Sequence, residues 1–274
     1  MTAETTPIPG LTEDGQLLTA TIDAVRTAGE RVREQFTADA RPADLPAIWA
    51  ALAANDAISN AYLRDALLAA RPGAGWVEEE LDSSLLPDGE WWVTDPVEGN
   101  VNAVHGLPDW AVTATLIRDN RPVLAAVHLP MTGDTYTAVA GGGAFQNGTP
   151  LNVSAKSDLR SAYVGTGQAQ PGENAETVRR MGESTSAMLT DGFVLRTSVP
   201  ATLQLTQVAA GRMDVFWQFS EVRSGLVSGA LLVAEAGGTI TDIQGRPWTL
   251  ASDDFLAAAP GVHLQAVTTL SAIR

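Results

Sequence analysis

Two carboxylates three positions apart, Asp95 and Glu98, follow the apolar run Trp91-Trp92-Val93 and enclose Pro96 and Val97 ahead of Gly99. Proline fixes the backbone after Asp95, so the two acids can converge. The glycine lets backbone N–H groups of a following helix come close to an anion. Oxygen ligands beside a helix start suit Mg²⁺ together with a phosphate. On this reading Trp91, Trp92 and Val93 end a buried strand, and Asp95, Pro96, Glu98 and Gly99 form a turn that begins where the strand stops. The plain alternative is an acidic surface turn.

Other chemistries have less to stand on. The chain has no cysteine, which excludes disulfides, thiolate-bound zinc and a thiol nucleophile. His105 and His128 have no recognisable nucleophile elbow near them, and Gly165-Thr166-Gly167 carries no phosphate-cradling lysine. A net charge of −15 with a pI near 4.5 argues against nucleic acid or an anionic membrane as partner, since both reward clustered Lys and Arg. Lys156 is the only lysine. With no signal peptide and no membrane-length apolar run visible, a cytoplasmic protein is expected.

The elements that must position the acids follow from periodicity and punctuation. Helices are predicted over 16–36 and 45–70, the second stopped by Arg71-Pro72-Gly73. Strands are predicted over 111–118, 123–128 and 134–138, separated by Asp119-Asn120-Arg121-Pro122 and Leu129-Pro130 turns, with a hairpin around Asn147-Gly148. Beyond 154–160 strands and helices alternate: strands over 162–165, 194–197, 213–217 and 255–259, helices over 175–188, 202–210, 226–236 and 262–273. This gives an α/β (α+β) chain of two tightly joined halves, 1–155 with an antiparallel sheet and the acidic motif, and 156–274 with alternating α/β structure.

Asp95-Pro96-Val97-Glu98-Gly99-Asn100-Val101-Asn102, with Val104-His105-Gly106 after it, resembles the signature of the inositol monophosphatase family, Asp-Pro-(Ile/Leu)-Asp-Gly-Thr-x-Asn before a Val-His-Gly. Gly142 to Gly148, Val208 to Asp214 and Leu231 to Gly238 are similar to further family landmarks. The resemblance implies an αβαβα layered sandwich, Mg²⁺ as cofactor, a sugar or cyclitol phosphate as substrate, and makes a homodimer plausible. Carried over residue by residue, it implies one Mg²⁺ on Glu79, Asp95 and the Val97 carbonyl, phosphate against the Gly99 and Asn100 N–H groups, and a water activated between Asp56 and Asn100. Asp56 also reads as a solvated or capping residue, and Glu79, inside Glu78-Glu79-Glu80, as an exposed face.

The departures fall on the chemistry. Glu98 replaces the family's second Asp and Asn100 its Thr; Ser224-Gly225 stands where the family has Trp-Asp, and Gln218 where inositol-processing members have a substrate-binding Glu. Asp95 and Glu98 alone remain for a second metal, so one Mg²⁺ site is expected and the second is doubtful. An amide positions water but cannot relay a proton as a hydroxyl can. Arg223 is a candidate anion partner, or a plain exposed arginine, and Glu221 could replace the lost acid. The expected function is therefore an enzyme on a small phosphorylated metabolite, by hydrolysis or by another reaction such as elimination or cyclisation. The alternative is a catalytically silent family member that binds a ligand or a partner.

Overall fold

The computed structural model describes residues 13–78, 85–168, 172–219 and 223–273. Seven α-helices are described: α1 Glu13–Arg33, α2 Leu45–Ala70, α3 Asn100–Val104, α4 Ala175–Asp191, α5 Ala201–Ala209, α6 Arg223–Glu235 and α7 Pro260–Leu270. The first sheet holds β1 Gly75–Trp76, β2 Glu90–Glu98, β3 Ala111–Arg118, β4 Arg121–Leu129, β5 Asp134–Val139, β6 Gly143–Gln146 and β7 Thr149–Pro150, side by side in chain order. The second holds β8 Tyr163–Thr166, β9 Val194–Thr197, β10 Val215–Gln218, β11 Thr239–Thr241 and β12 Phe255–Ala258, in the order β11-β12-β10-β8-β9.

Side-chain alternation along the strands sorts the layers. On β3, Val112, Ala114 and Leu116 face Val25, Ala28, Leu63 and Leu67 of α1 and α2, and on β4 Leu124 and Ala126 join them. The neighbours Ala111, Ala125 and Val127 face the other way, into a core with Leu205, Val208 and Leu232 of α5 and α6. Phe216 and Ala257 of the second sheet enter that same core from beyond the helices. On the outer face of the second sheet, Val215, Trp217 and Leu256 pack against Met188 of α4 and Val262, Ala266 and Leu270 of α7. The layers thus run α1/α2, first sheet, α5/α6, second sheet, α4/α7, the expected αβαβα sandwich, with α5 and α6 shared between the sheets.

Local chemistry accounts for the sharpest boundaries. α2 starts at Leu45 because the Asp44 side chain accepts the Ala47 N–H at 2.9 Å and proline occupies the first turn, where no helical N–H is needed. The hairpin after β6 turns on Asn147 (φ 50°) and Gly148 (φ 79°), both left-handed, as a two-residue turn matching strand twist requires.

Two expectations need correction. The first sheet is mixed, because β1 pairs parallel with β2; a two-residue strand gives no periodic signal. And β2 does not stop at Val93. Its pairing with β3 continues through Asp95 (opposite Thr113) to Glu98 (opposite Ala111), with one extra residue absorbed in a bulge between them. A bulge accommodates Pro96, which has no N–H to give the ladder. The acids are therefore held on a sheet strand rather than on a turn beyond it.

Candidate active site

The bulge turns Asp95 and Glu98 toward each other. Asp95 accepts the Val97 N–H at 3.0 Å, while the Val97 side chain is buried with Val32, Ala103 and Trp110 and anchors the bulge from below. Glu98 is only 5 % exposed. Burial drives the Asp95 carboxyl well above the usual carboxylate range, and the adjacent, hydrogen-bonded Glu98 and the charge of Asp56 push it further. Glu98 buried and Asp95 half-buried beside it each disfavour the other's ionisation, an arrangement whose charge a divalent cation would neutralise.

Gly99 (φ 83°) caps α3 in the left-handed conformation, and a Cβ there would lie 2.8 Å from the Pro200 ring and 2.9 Å from the Asp109 carbonyl. Its role in packing is thus visible beside any role in approaching an anion. Asn102 braces the same junction, donating to the carbonyls of Asp109 (2.8 Å) and Val199 (3.0 Å). His105 Nδ1 lies 2.7 Å from the Val101 carbonyl, a brace for α3. Pro200 opens α5, and one residue into that helix Thr202 donates to the Gly225 carbonyl at 2.8 Å. The start of α6 is so tied, through α5, to the acidic motif.

Asp56 and Asn100 do meet, although Asp56 sits deep inside α2 and caps nothing. Asn100 Nδ2 donates to Asp56 Oδ1 at 2.8 Å and to the Leu52 carbonyl at 3.0 Å, and its Oδ1 accepts from Asn55 Nδ2 at 2.8 Å. Both amide protons are committed, so Asn100 can offer water only an acceptor lone pair. Burial raises the Asp56 carboxyl above its ordinary range, and the Asn100 hydrogen bond opposes that rise. Asn55 and the Leu52 carbonyl were not singled out from sequence. The signal available was a polar pair, Asn55-Asp56, interrupting an alanine-rich helix.

The other expected residues lie as follows. Arg223 begins α6 and is only 3 % exposed, so it is not a surface arginine. Gln218 ends β10, buried, with its amide against Gly167, where a Cβ would come within 2.7 Å. Glu79 and Glu221 lie outside the described residues.

The donor set permits a test of the expected metal. Asp95, Glu98 and the Val97 carbonyl between them in the chain fit one divalent cation by the chemistry of their oxygen donors and by the pairing of the two acids. They do not fit a full multi-metal cluster: Gly225 has no side-chain donor, its carbonyl is taken by Thr202, and among the described residues no group of three or more His, Cys, Asp or Glu is placed to hold a metal.

The inositol monophosphatase family model matches residues 13–273. The chain belongs to that family. An inositol-1-monophosphatase of Rhizobium meliloti is 37 % identical over 190 residues, 67 % of this chain and 68 % of that one. A putative Nus factor SuhB of Neisseria meningitidis is 32 % identical over 262 residues, 93 % of this chain and 98 % of that one. Among solved structures, an inositol monophosphatase from Anabaena (Nostoc) superposes with a TM-score of 0.80 at 23 % identity, covering 96 % of this chain and 98 % of that one, and so shares the fold. Family membership supports a phosphatase-like function. Among the described residues no helix is long and apolar enough to cross a membrane.

Proposed function

We propose that this family member is an enzyme acting on a small phosphorylated metabolite, a sugar or cyclitol phosphate, through a reduced, single-cation site. The observation that carries the reading is the hydrogen-bonded Asp95–Glu98 pair, Glu98 buried and Asp95 half-buried beside it. Two carboxyls held together and largely out of solvent disfavour each other's ionisation, so a purely structural role would be served better by apolar residues. Asp95, Glu98, the Val97 carbonyl and Glu79 would hold one Mg²⁺, which when bound supplies positive charge against the substrate phosphate. The Gly99 and Asn100 N–H groups hold the phosphate, and buried Arg223 adds a cation on the side where the family's downstream acid is replaced by Gly225. Gln218 faces the substrate's hydroxyls in place of the family's glutamate.

Water activation falls to Asp56. Asn100 fixes one of its carboxylate oxygens and leaves the other to accept a proton, while the spare Asn100 lone pair orients the water. Without a hydroxyl in the relay, hydrolysis is slower than in a family member with Thr at this position, and the same cleft suits elimination or cyclisation of the phosphate ester.

The test is calorimetric titration of Mg²⁺ with and without inorganic phosphate, followed by a phosphate-release screen over sugar and cyclitol phosphates. One Mg²⁺ per chain, tightened by phosphate and lost in Asp95→Ala, is expected; Asp95→Ala binding Mg²⁺ like the parent overturns the site. A second reading, a silent family member that binds a partner, is favoured by the committed Asn100 amide and by a relative named as a putative Nus factor over nearly its whole length. No turnover of any substrate alongside intact phosphate binding selects it.

A further inference from the structure

Behind the clasp that joins Asn100 to α2 lies a cavity of about 310 Å³, bounded by the end of α1, the α1–α2 connection, the first turns of α2 and α3. Its volume is at the lower end for small-molecule sites. The buried side chains of α2, Ser59, Leu63 and Leu67, all lie in its second half, whereas its first half contributes the small Ala47 and Ala51 to the lining beside Val32 and Phe36 of the α1 end. The walls are apolar at Val32, Phe36 and Val104 and polar at Gln35, Thr37 and Asn55, and Arg41, exposed at the opening, is the one charged residue among those lining the space.

Arg41 is held in place before any ligand arrives. Its Nη1 donates to the carbonyls of Ala38 (3.0 Å), Ala40 and His105 (3.2 Å). The connection is pressed onto Gly106 (φ 73°), where a Cβ would come within 2.5 Å of the Ala38 carbonyl. Among the described residues every hydrogen bond of the Arg41 side chain uses Nη1, which leaves the Nε and Nη2 donors of the guanidinium for a ligand. At the inner end stands Asn55, whose Nδ2 already donates to Asn100.

We propose that this cavity is a binding site for a small amphipathic carboxylate, with its acid on Arg41, its apolar body against Phe36, Ala51 and Val104, and its far end at Asn55, so that occupancy is felt by the Asn55–Asn100–Asp56 hydrogen bonds. Charge selects the class. A carboxylate matches the planar guanidinium edge with paired hydrogen bonds, while a cation of the same length meets a fixed positive charge. The site is separate from the acidic cleft, and the inference does not depend on the activity proposed there.

Octanoate is the probe, with octylammonium and octanol as controls of equal chain length, read by calorimetry on the full chain. Octanoate is expected to bind roughly tenfold or more tightly than either control, the difference a charge-assisted pair makes. Arg41→Ala should abolish that preference. Because it also removes the brace to three carbonyls, Ala51→Phe serves as a second variant, filling the cavity and blocking octanoate while leaving Arg41 in place. In ¹⁵N spectra of the parent, octanoate should shift the Asn55 and Asn100 side-chain amides. Equal binding of octanoate and octylammonium, or unchanged octanoate binding in Ala51→Phe, overturns the proposal; so do amides that fail to shift at saturation, for the link to the clasp.

Discussion

Replacing Asp95 by asparagine should stabilise this protein without Mg²⁺ and lose that advantage when Mg²⁺ is present. In chelator, the parent carries Asp95 against Glu98 with its carboxyl raised by burial and by Glu98. For an acid whose folded value lies above its unfolded one, ionisation favours the unfolded chain. The penalty is absent below the unfolded value near 3.9, grows as pH rises from there, and is complete above the folded value. It amounts to about 1.4 kcal/mol for each tenfold rise in the carboxylate's proton affinity on folding. Asparagine removes the penalty while keeping what Asp95 does locally. Its Oδ1 can still accept the Val97 N–H, and its Nδ2 can donate to Glu98. A chain of this size changes its Tm by about 2–4 °C per kcal/mol. With Mg²⁺ at a hundredfold excess over its Kd, the parent gains about 2.7 kcal/mol and the variant, lacking the ligand, little. Thermal unfolding at pH 7.5 in chelator and in Mg²⁺ should therefore show the variant ahead in chelator and the gap closed or reversed in Mg²⁺. A variant less stable than the parent in chelator would refute the reading of Asp95 and Glu98 as a strained pair awaiting a cation.

Asn100→Ala removes the hydrogen bond that favours ionised Asp56, so the Asp56 carboxyl should rise further and the acid limb of any pH–rate profile should move to higher pH, measurable by NMR titration or kinetics. Asp214 is fully buried and accepts from Ser154, Lys156 Nζ (2.7 Å) and the Tyr163 N–H; Asp214→Ala strands these donors and should cost about 3–5 kcal/mol in urea unfolding. Gly99→Ala forces a Cβ onto Pro200 and Asp109 at a left-handed position and should destabilise by more than about 1–2 kcal/mol, with phosphate binding weakened in calorimetry. The combined change Gly225→Asp, Glu98→Asp, Asn100→Thr should raise phosphate release from a generic sugar phosphate by several kcal/mol of barrier, of the order a catalytic metal supplies; no gain would show that the cleft differs in more than its ligands.

What is legible in the sequence has a local cause. α2 runs over the expected 45–70 because Asp44 and the Arg71-Pro72-Gly73 stop act within a turn or two of the helix. β3 matches its expected span 111–118 because apolar and β-branched residues pack it on both faces between two sharp turn signals. The bulge at Pro96 reads as a strand end from its own strand, since only the opposite strand, with Thr113 and Ala111, reveals that pairing resumes. The meeting of Asp56 with Asn100 follows from family resemblance. The stapling of Asn100 by Asn55 and Leu52 needs a helix turn brought against a motif some 45 positions away, and no local pattern announces it. Arg223 illustrates the same limit: its type is informative, its burial is not legible.

The placement of α5 and α6 between the two sheets bears on how such a protein can change over evolutionary time. Leu205, Val208 and Leu232 fill space with residues from both sheets, so the seam between the sheets runs through interdigitated side chains rather than along a surface. Exchanging either sheet for that of a relative would set two independently drifted sets of side-chain shapes face to face. Surface loops can diverge one at a time, but Ala125, Phe216 and their helical neighbours must vary as a set, which ties the history of the acidic motif to that of the second sheet.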